Sequence, residues 1–282
     1  MSLIGATQGV AKACLEALKV ADQTFEVHAY TRQAPPNLPS NHINVIWHSC
    51  DLSKDVMSQS GILWISAGPI GLVLKQLEWA GNQKPQAIWA LSSASTDFKL
   101  DSPSPKERKQ MRAILDQESA LSSYCQANGI RLQLFKTTML YGLDDQNINR
   151  LAELIDRLKI IPVVGQGLRA PIHVDDLGRL IADDVIAHQN GESIPSGTWR
   201  LQGGEVLTYP DLLRRIATNR GLRCGIVNVP QALLRASLSL VHFLGFLKDV
   251  NAEMLSRQAR DLVVDDEPAR TQLNWTPRNF QP

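Results

Sequence analysis

Gly5-Ala6-Thr7-Gln8-Gly9-Val10-Ala11 is the stretch on which the reading of this chain turns. It joins a short apolar run, Ser2 to Ile4, to Gly9 to Val20, where Val10, Cys14, Leu15 and Leu18 recur at helical spacing. Glycine at position 5 allows a tight strand-to-helix turn. Glycine at 9 lets the backbone approach a phosphate, and the small Ala11 permits close packing of helix on strand. The position of the turn, opening a β-α unit, points to a dinucleotide whose pyrophosphate meets the N-terminus of the helix; a purely structural turn is the lesser alternative.

Outward from this turn the pattern repeats. Short β-rich runs are expected at Thr24 to Thr31, Val45 to His48, Ile62 to Ser66, Ala87 to Ser92 and Arg131 to Thr137. Helical spacing marks Leu72 to Ala80 and Pro105 to Asn128. Repeated β-α units require parallel pairing through right-handed crossovers, so the expected fold class is α/β, a doubly wound Rossmann-type parallel sheet. Ligands of such sheets collect at the carboxyl ends of the strands. After Tyr141-Gly142 the regularity is lost. Helical segments (Asn147 to Leu158, Asp175 to His188, Tyr209 to Arg220, Gln231 to Leu247) alternate with short extended ones, Thr198 to Leu201 and Cys224 to Val229. Residues 1–142 are therefore expected to form mainly the dinucleotide-binding domain. Residues 143–282 are expected to form mainly a smaller C-terminal substrate lobe, with some segments returning to the sheet.

Composition narrows the partners. The 282 residues are 44% hydrophobic and 20% charged, enough apolar material for a large core. Lys and Arg number 29 against 28 Asp and Glu, a net charge of +1, so no global field draws the protein to nucleic acid. Cys14, Cys50, Cys125 and Cys224 form no C-x-x-C, and reduced, buried thiols are expected with no metal site. The opening residues lack a basic region followed by an apolar stretch, so no secretory signal is expected, and a cytoplasmic location is. Ala232 to Leu247 is the most apolar segment, but Arg235 and His242 interrupt it and it is shorter than the ~20 residues of a membrane span. It reads as a buried or partner-facing helix. If exposed, its Leu and Phe residues would favour a homodimer or contact with a membrane surface.

Around the glycine turn, Gly5, Thr7, Gln8, Gly9 and Val10 would surround the pyrophosphate. The second strand ends His28-Ala29-Tyr30-Thr31-Arg32, with no acid to meet a free ribose 2′-hydroxyl. Arg32 could instead pair with a 2′-phosphate through its planar fork of donors, or remain a solvated loop residue; NADP is favoured over NAD on this ground. Asp51 and Leu52 are placed to border the adenine. Ser66, Ala67 and Gly68 form a small-residue turn alongside the pyrophosphate or nicotinamide ribose.

These features resemble the extended and atypical branch of the short-chain dehydrogenase/reductase superfamily, the NAD-dependent epimerase/dehydratase-like proteins. The resemblance extends to Leu91-Ser92-Ser93, Thr138 to Gly142, Pro171-Ile172-His173-Val174-Asp175-Asp176-Leu177 and the closing Leu273 to Phe280. It implies NAD(P) binding, with Ser92 at the cofactor, and a nucleotide-sugar or other carbonyl or carbinol substrate. Asn147, Arg150, Arg169 and His173 fall in segments that line the substrate cleft in that branch. Arg169 could hold a diphosphate or carboxylate bidentately.

The superfamily's Tyr-x-x-x-Lys acid/base pair has no counterpart. Counting back from Glu118, its two positions are Met111 and Leu115. The usual strand-five hydroxyl aligns with Ala94, leaving Ser93 or Ser95 as substitutes. Tyr141 reads as a replacement acid or as a phenol packing the lobes together. Lys136 reads as a compensating cation or a solvated strand end, Lys99 to Lys109 as a flap, and Asp175-Asp176 as an N-terminal helix cap. Two functions follow: hydride transfer on a nucleotide-sugar-like substrate by an unconventional proton relay, or dinucleotide binding without turnover by a sensor or assembly subunit.

Overall fold

A computed structural model describes residues 1–20, 24–32, 44–81, 83–142, 145–230 and 258–282. The segment Ala232 to Leu247 lies outside them. The first half runs β1 (Ser2–Ile4), α1 (Gly9–Lys19), β2 (Glu26–Thr31), β3 (Asn44–Ser49), β4 (Leu63–Ser66), α2 (Ile70–Trp79), β5 (Ala87–Ser93), a short α3 (Ser95–Phe98), α4 (Pro105–Ala127) and β6 (Arg131–Thr137). The second begins with β7 (Leu140–Tyr141), α5 (Gln146–Leu158), β8 (Ile160–Val163), β9 (Leu168–Arg169), β10 (Ile172–His173) and α6 (Val174–Gln189). It continues with β11 (Gly197–Leu201), β12 (Leu207–Thr208), α7 (Tyr209–Asn219), β13 (Gly225–Asn228) and α8 (Glu267–Gln272).

The anticipated doubly wound sheet is present. Seven parallel strands lie in the order β11-β6-β5-β4-β1-β2-β3. Side-chain alternation along each strand divides the core between its two faces. Leu3, Val27, Ile65, Trp89 and Phe135 pack one face against Leu15 of α1 and Leu177 and Ile181 of α6. Ile4, Tyr30, Trp64, Ile88 and Leu134 pack the other against Val73 of α2 and Leu121 of α4. Helix α6 lies on α1 so closely that a methyl group at Gly178 would come 2.6 Å from Ala13 Cβ. It delivers the chain to β11, which pairs in parallel with β6 and extends the sheet.

A third core joins Tyr141, Ile148, Ile155, Ile161, Leu213 and Phe280 from β7, α5, β8, α7 and the C-terminal segment. Helix α5 contributes through its i, i+4, i+7 spacing of Ile148, Ala152 and Ile155. Strand order decides where a ligand can reach the sheet. The chain moves outward from β1 in one direction through β2 and β3 and in the other through β4, β5 and β6, so the crevice at the carboxyl ends of β1 and β4 is the topological switch point.

Candidate functional site

The glycine turn and the loop after β4 form the two lips of that crevice. Gly5 has φ +73°, and a Cβ there would stand 2.9 Å from the backbone nitrogen of Gly68. The turn is held by Ala6 N–H donating to Tyr30 O at 3.1 Å and Gln8 N–H to Gly5 O at 3.0 Å, while Ala67 N–H donates to Ile4 O at 3.0 Å. Helices α1 and α2, which start here, have no side-chain cap and no acidic residue in their first turns. By contrast α4, α5, α6 and α7 are capped by Ser104, Asp145, His173 and Thr208. The uncapped N–H groups and positive dipole ends at the crevice suit an anion. Ser66 Oγ, buried at the end of β4, has no hydrogen-bond partner. A close backbone cradle, an orphaned hydroxyl and uncapped helix starts together fit a dinucleotide.

The other residues expected at the cofactor divide by environment. Val10 and Leu52 are buried in the cores flanking the sheet, so only their backbones can face a ligand. Asp51 accepts hydrogen bonds from Ser53 N–H and Oγ at 3.1 and 2.7 Å. These bonds, with Lys54 and Arg32 nearby, hold its carboxyl below the ordinary value. Arg32 is exposed at the end of β2. Ser92 donates to Glu118 Oε1 and so faces α4.

Glu118 belongs to a charge network below the ends of β5 and β6. Lys136 Nζ lies 2.7 Å from Asp97 Oδ1 and 3.4 Å from Glu118 Oε2, and Arg200 Nε lies 2.7 Å from Asp97 Oδ2. Burial raises the Asp97 carboxyl, but hydrogen bonds from Arg200 and Lys136 outweigh it and hold the group below its usual range. The Lys136 side chain is 5% exposed. It is therefore not a solvated strand end, because β11 and α4 cover it. Met111, at the position counted for the missing tyrosine, is buried, and Leu115 is half-buried.

Ser93 Oγ accepts from Ser95 N–H at 3.1 Å, tying the start of α3 to the end of β5. The Tyr141 hydroxyl accepts from Gln281 N–H at 3.1 Å and donates to Asn279 O at 3.4 Å, and its ring packs edge-on against His173 and Phe280. Burial pushes its phenol above the usual value. The stretch from Lys99 to Lys109 is not a free flap. Helix α4 starts at Pro105, Lys99 pairs with Glu107 at 3.1 Å, and Arg108 donates to Ser102 O at 2.5 Å. Nor do Asp175 and Asp176 cap α6. His173 Nδ1 accepts the Asp175 N–H at 3.2 Å, while Asp176 holds Arg278 through its backbone N–H at 2.9 Å and its Nε at 2.8 Å.

A cavity of about 420 Å³ opens beside His173, lined also by Tyr141, Asp145, Asn149 and Arg220. Asn147 and Arg150 are exposed on α5. Arg169 lies outside the cavity wall, buried, with its guanidinium 5.3 Å from the Tyr209 ring centroid and NH1 donating to the carbonyls of Leu168 and Arg260 at 2.7 and 2.8 Å. Sequence reasoning missed Asp97, Glu118 and Arg200 as a unit with Lys136, as well as the segment Gln258 to Leu262 that seats Arg169. Their contacts are long-range and leave no local spacing to read.

No protein-family model matches the chain, and no curated protein matches it in sequence. Solved structures share its fold over nearly its whole length, a Rossmann-type α/β fold, and nucleotide-sugar epimerases are among them. UDP-glucose 4-epimerase from Thermotoga maritima, solved with UDP-glucose, has a TM-score of 0.65 at 12% identity, over 98% of this chain and 94% of that one. An epimerase from Methanothermobacter thermautotrophicus has a TM-score of 0.65 at 14% identity, over 98% and 87%. MoeE5, in complex with UDP-glucuronic acid and NAD, has a TM-score of 0.63 at 16% identity, over 99% and 94%. Among the described residues no helix is long and apolar enough to cross a membrane.

Proposed function

We propose that this chain binds a nicotinamide dinucleotide across the crevice between β1 and β4 and, with it in place, acts on a nucleotide-sugar-like molecule held between the sheet and the second lobe. The observation that carries the reading is the contact of Gly5 with Gly68 at the topological switch point, where α1 begins without a cap. The N–H groups opening α1, with Gly5, Thr7, Gln8, Gly9 and Val10 around them, would hold the pyrophosphate. Ser66, Ala67 and Gly68 line the opposite lip, and Asp51 with the backbone of Leu52 borders the adenine. Arg32 would pair with a 2′-phosphate, which favours NADP. The MoeE5 structure holds NAD.

Bound there, the dinucleotide would supply hydride transfer at its nicotinamide ring. The chain would supply position and a proton. Ser93 Oγ takes the Ser95 N–H as an acceptor and keeps its own O–H to offer a substrate oxygen at the end of β5. Ser92 is committed to Glu118 and acts by bracing that strand end. The Tyr141 hydroxyl, engaged with residues 279 and 281, is assigned to packing the lobes. Arg169 would take a phosphate or carboxylate of the substrate, while His173, Asn147 and Arg150 mark the second lobe's side.

One observation favours a second reading, binding without turnover. Where the family places its tyrosine there is a buried methionine, and the buried cation Lys136 is held between two carboxylates. Fluorescence titration with NADPH and NADH, on the unaltered protein and Arg32→Ala, tests the binding. Tight NADPH binding that the substitution weakens is expected; no binding of either would overturn the proposal. Nicotinamide absorbance on adding UDP-glucose or UDP-glucuronic acid then separates turnover from binding alone.

A further inference from the structure

Arg169 is seated by a strap from the far end of the chain. Val164 N–H donates to Gln258 Oε1 at 2.9 Å, Gly167 N–H to Gln258 O at 2.8 Å and Leu168 N–H to Asp261 Oδ1 at 2.8 Å. Leu262 N–H returns a bond to Leu168 O at 2.9 Å. Two glycines make the approach possible. A Cβ at Gly165 would lie 2.6 Å from Ala259 Cβ, and one at Gly167 would lie 2.3 Å from Arg260 O. That same Arg260 carbonyl accepts Arg169 NH1, and the guanidinium lies against Tyr209.

The other end of Arg260 reaches out of the lobe. Its NH2 lies 2.9 Å from both carboxylate oxygens of Asp101, in the loop between α3 and α4 at the carboxyl end of β5. One residue thus holds the second lobe's buried arginine with its backbone and the sheet domain with its side chain. The Arg260 and Asp101 side chains are 41% and 71% exposed, so the pair contributes little to stability by itself. An exposed pair that fixes the seat of a buried guanidinium is better explained by what the guanidinium must meet.

We infer that Arg260 is a positioning residue, clasped to Asp101 so that Arg169 is presented to the diphosphate of a nucleoside-diphosphate substrate. This rests on the reading of Arg169 given above. Bidentate recognition of phosphate by arginine depends on the orientation of the guanidinium plane, and a shift of the carbonyl that holds NH1 turns that plane. The clasp joins the loop after β5 to the strap, so the sheet domain sets the arginine's reach.

Calorimetric titration with UDP tests this on four full-length proteins: unaltered, Asp101→Arg, Arg260→Asp and the double exchange of the two. Each single substitution should weaken UDP binding about fivefold, and the exchange should restore it to within about twofold, the scale of a lost exposed ion pair. Tm should hold within about 2 °C throughout, and NADPH affinity should not change, which a general loosening of the fold would not allow. Equal UDP affinity in all four, or a loss that the exchange leaves in place, would overturn the clasp while leaving Arg169 as a phosphate contact. If the unaltered protein binds NADPH but no UDP, the assignment of Arg169 fails and the clasp with it.

Discussion

Lys136 and Glu118 face each other across 3.4 Å beneath the ends of β5 and β6, with side chains 5% and 10% exposed. Such a pair is expensive to desolvate and more expensive to break, because the partner left behind keeps an uncompensated charge. Asp97 at 2.7 Å shares the lysine, and Arg200 balances the second carboxylate. Lys136→Met leaves Glu118 and Asp97 with Arg200 alone. The expected cost is about 3–5 kcal/mol, read from the urea midpoint at neutral pH. Lys136→Met with Glu118→Leu should recover part of that loss, since one buried carboxylate goes with the cation. A single-substitution loss below about 1 kcal/mol would show that water reaches the network.

Gly5→Ala tests the crevice more directly than any charged residue. The positive φ disfavours an L side chain, and the new methyl would meet the Gly68 backbone at 2.9 Å. The expected stability loss is about 1–3 kcal/mol, with loss of NADPH binding as the two lips are forced apart. Tm and the NADPH titration together separate the effects. Retained affinity in a destabilised protein would place the dinucleotide elsewhere.

How far these positions could be read in advance differs sharply. Strands one to six and helices one, two and four follow from local periodicity, because each element buries a face whose spacing the sequence displays. The glycine turn was legible for the same reason: its chemistry lies in seven consecutive residues. Lys136 was not legible as a buried cation, because what buries it comes from α3, α4 and β11 and no local pattern links them. Asp175-Asp176 reads as the cap of α6 from local sequence, but His173 takes that place, and Arg278 claims Asp176 from the other end of the chain. Gly165 and Gly167 carry no local signal, since the residues that require them lie some ninety positions away.

Gly178 is a point of close approach between α1 and α6, the helix that leads into β11. A methyl group there would lie 2.6 Å from Ala13 Cβ and 2.7 Å from Cys14 N. Backbone cannot yield as a side-chain tip can, so Gly178→Ala should push α6 outward despite alanine's better helix propensity. The expected net loss is about 1–3 kcal/mol by chemical denaturation. A neutral or stabilising result would show that the two helices slide to accommodate it.

Asp184 on α6 should make the protein less stable as pH rises. Burial pushes its carboxyl up to about 6, partly offset by the neighbouring Gln133 and Trp89 and reinforced by Asp183. Its Oδ2 is buried without a hydrogen-bond partner, so the ionised form is only partly compensated and burial prevails. In the unfolded chain the group ionises near 3.9. Between about pH 4 and 6 the unfolded chain therefore releases a proton that the folded chain retains, and stability falls, by about 2–3 kcal/mol once pH passes the folded value. The His188 imidazole is lowered by burial and by Arg131, and the Asp183 carboxyl is raised by burial. Both groups are present in the unaltered protein and in Asp184→Asn, so the difference between the two reports the Asp184 carboxyl together with its coupling to Asp183. The two should have nearly equal Tm at pH 4, and the variant should be the more stable above pH 7. A Tm difference that stays constant from pH 4 to 8 would show that Asp184 ionises in the folded protein as it does in the unfolded chain.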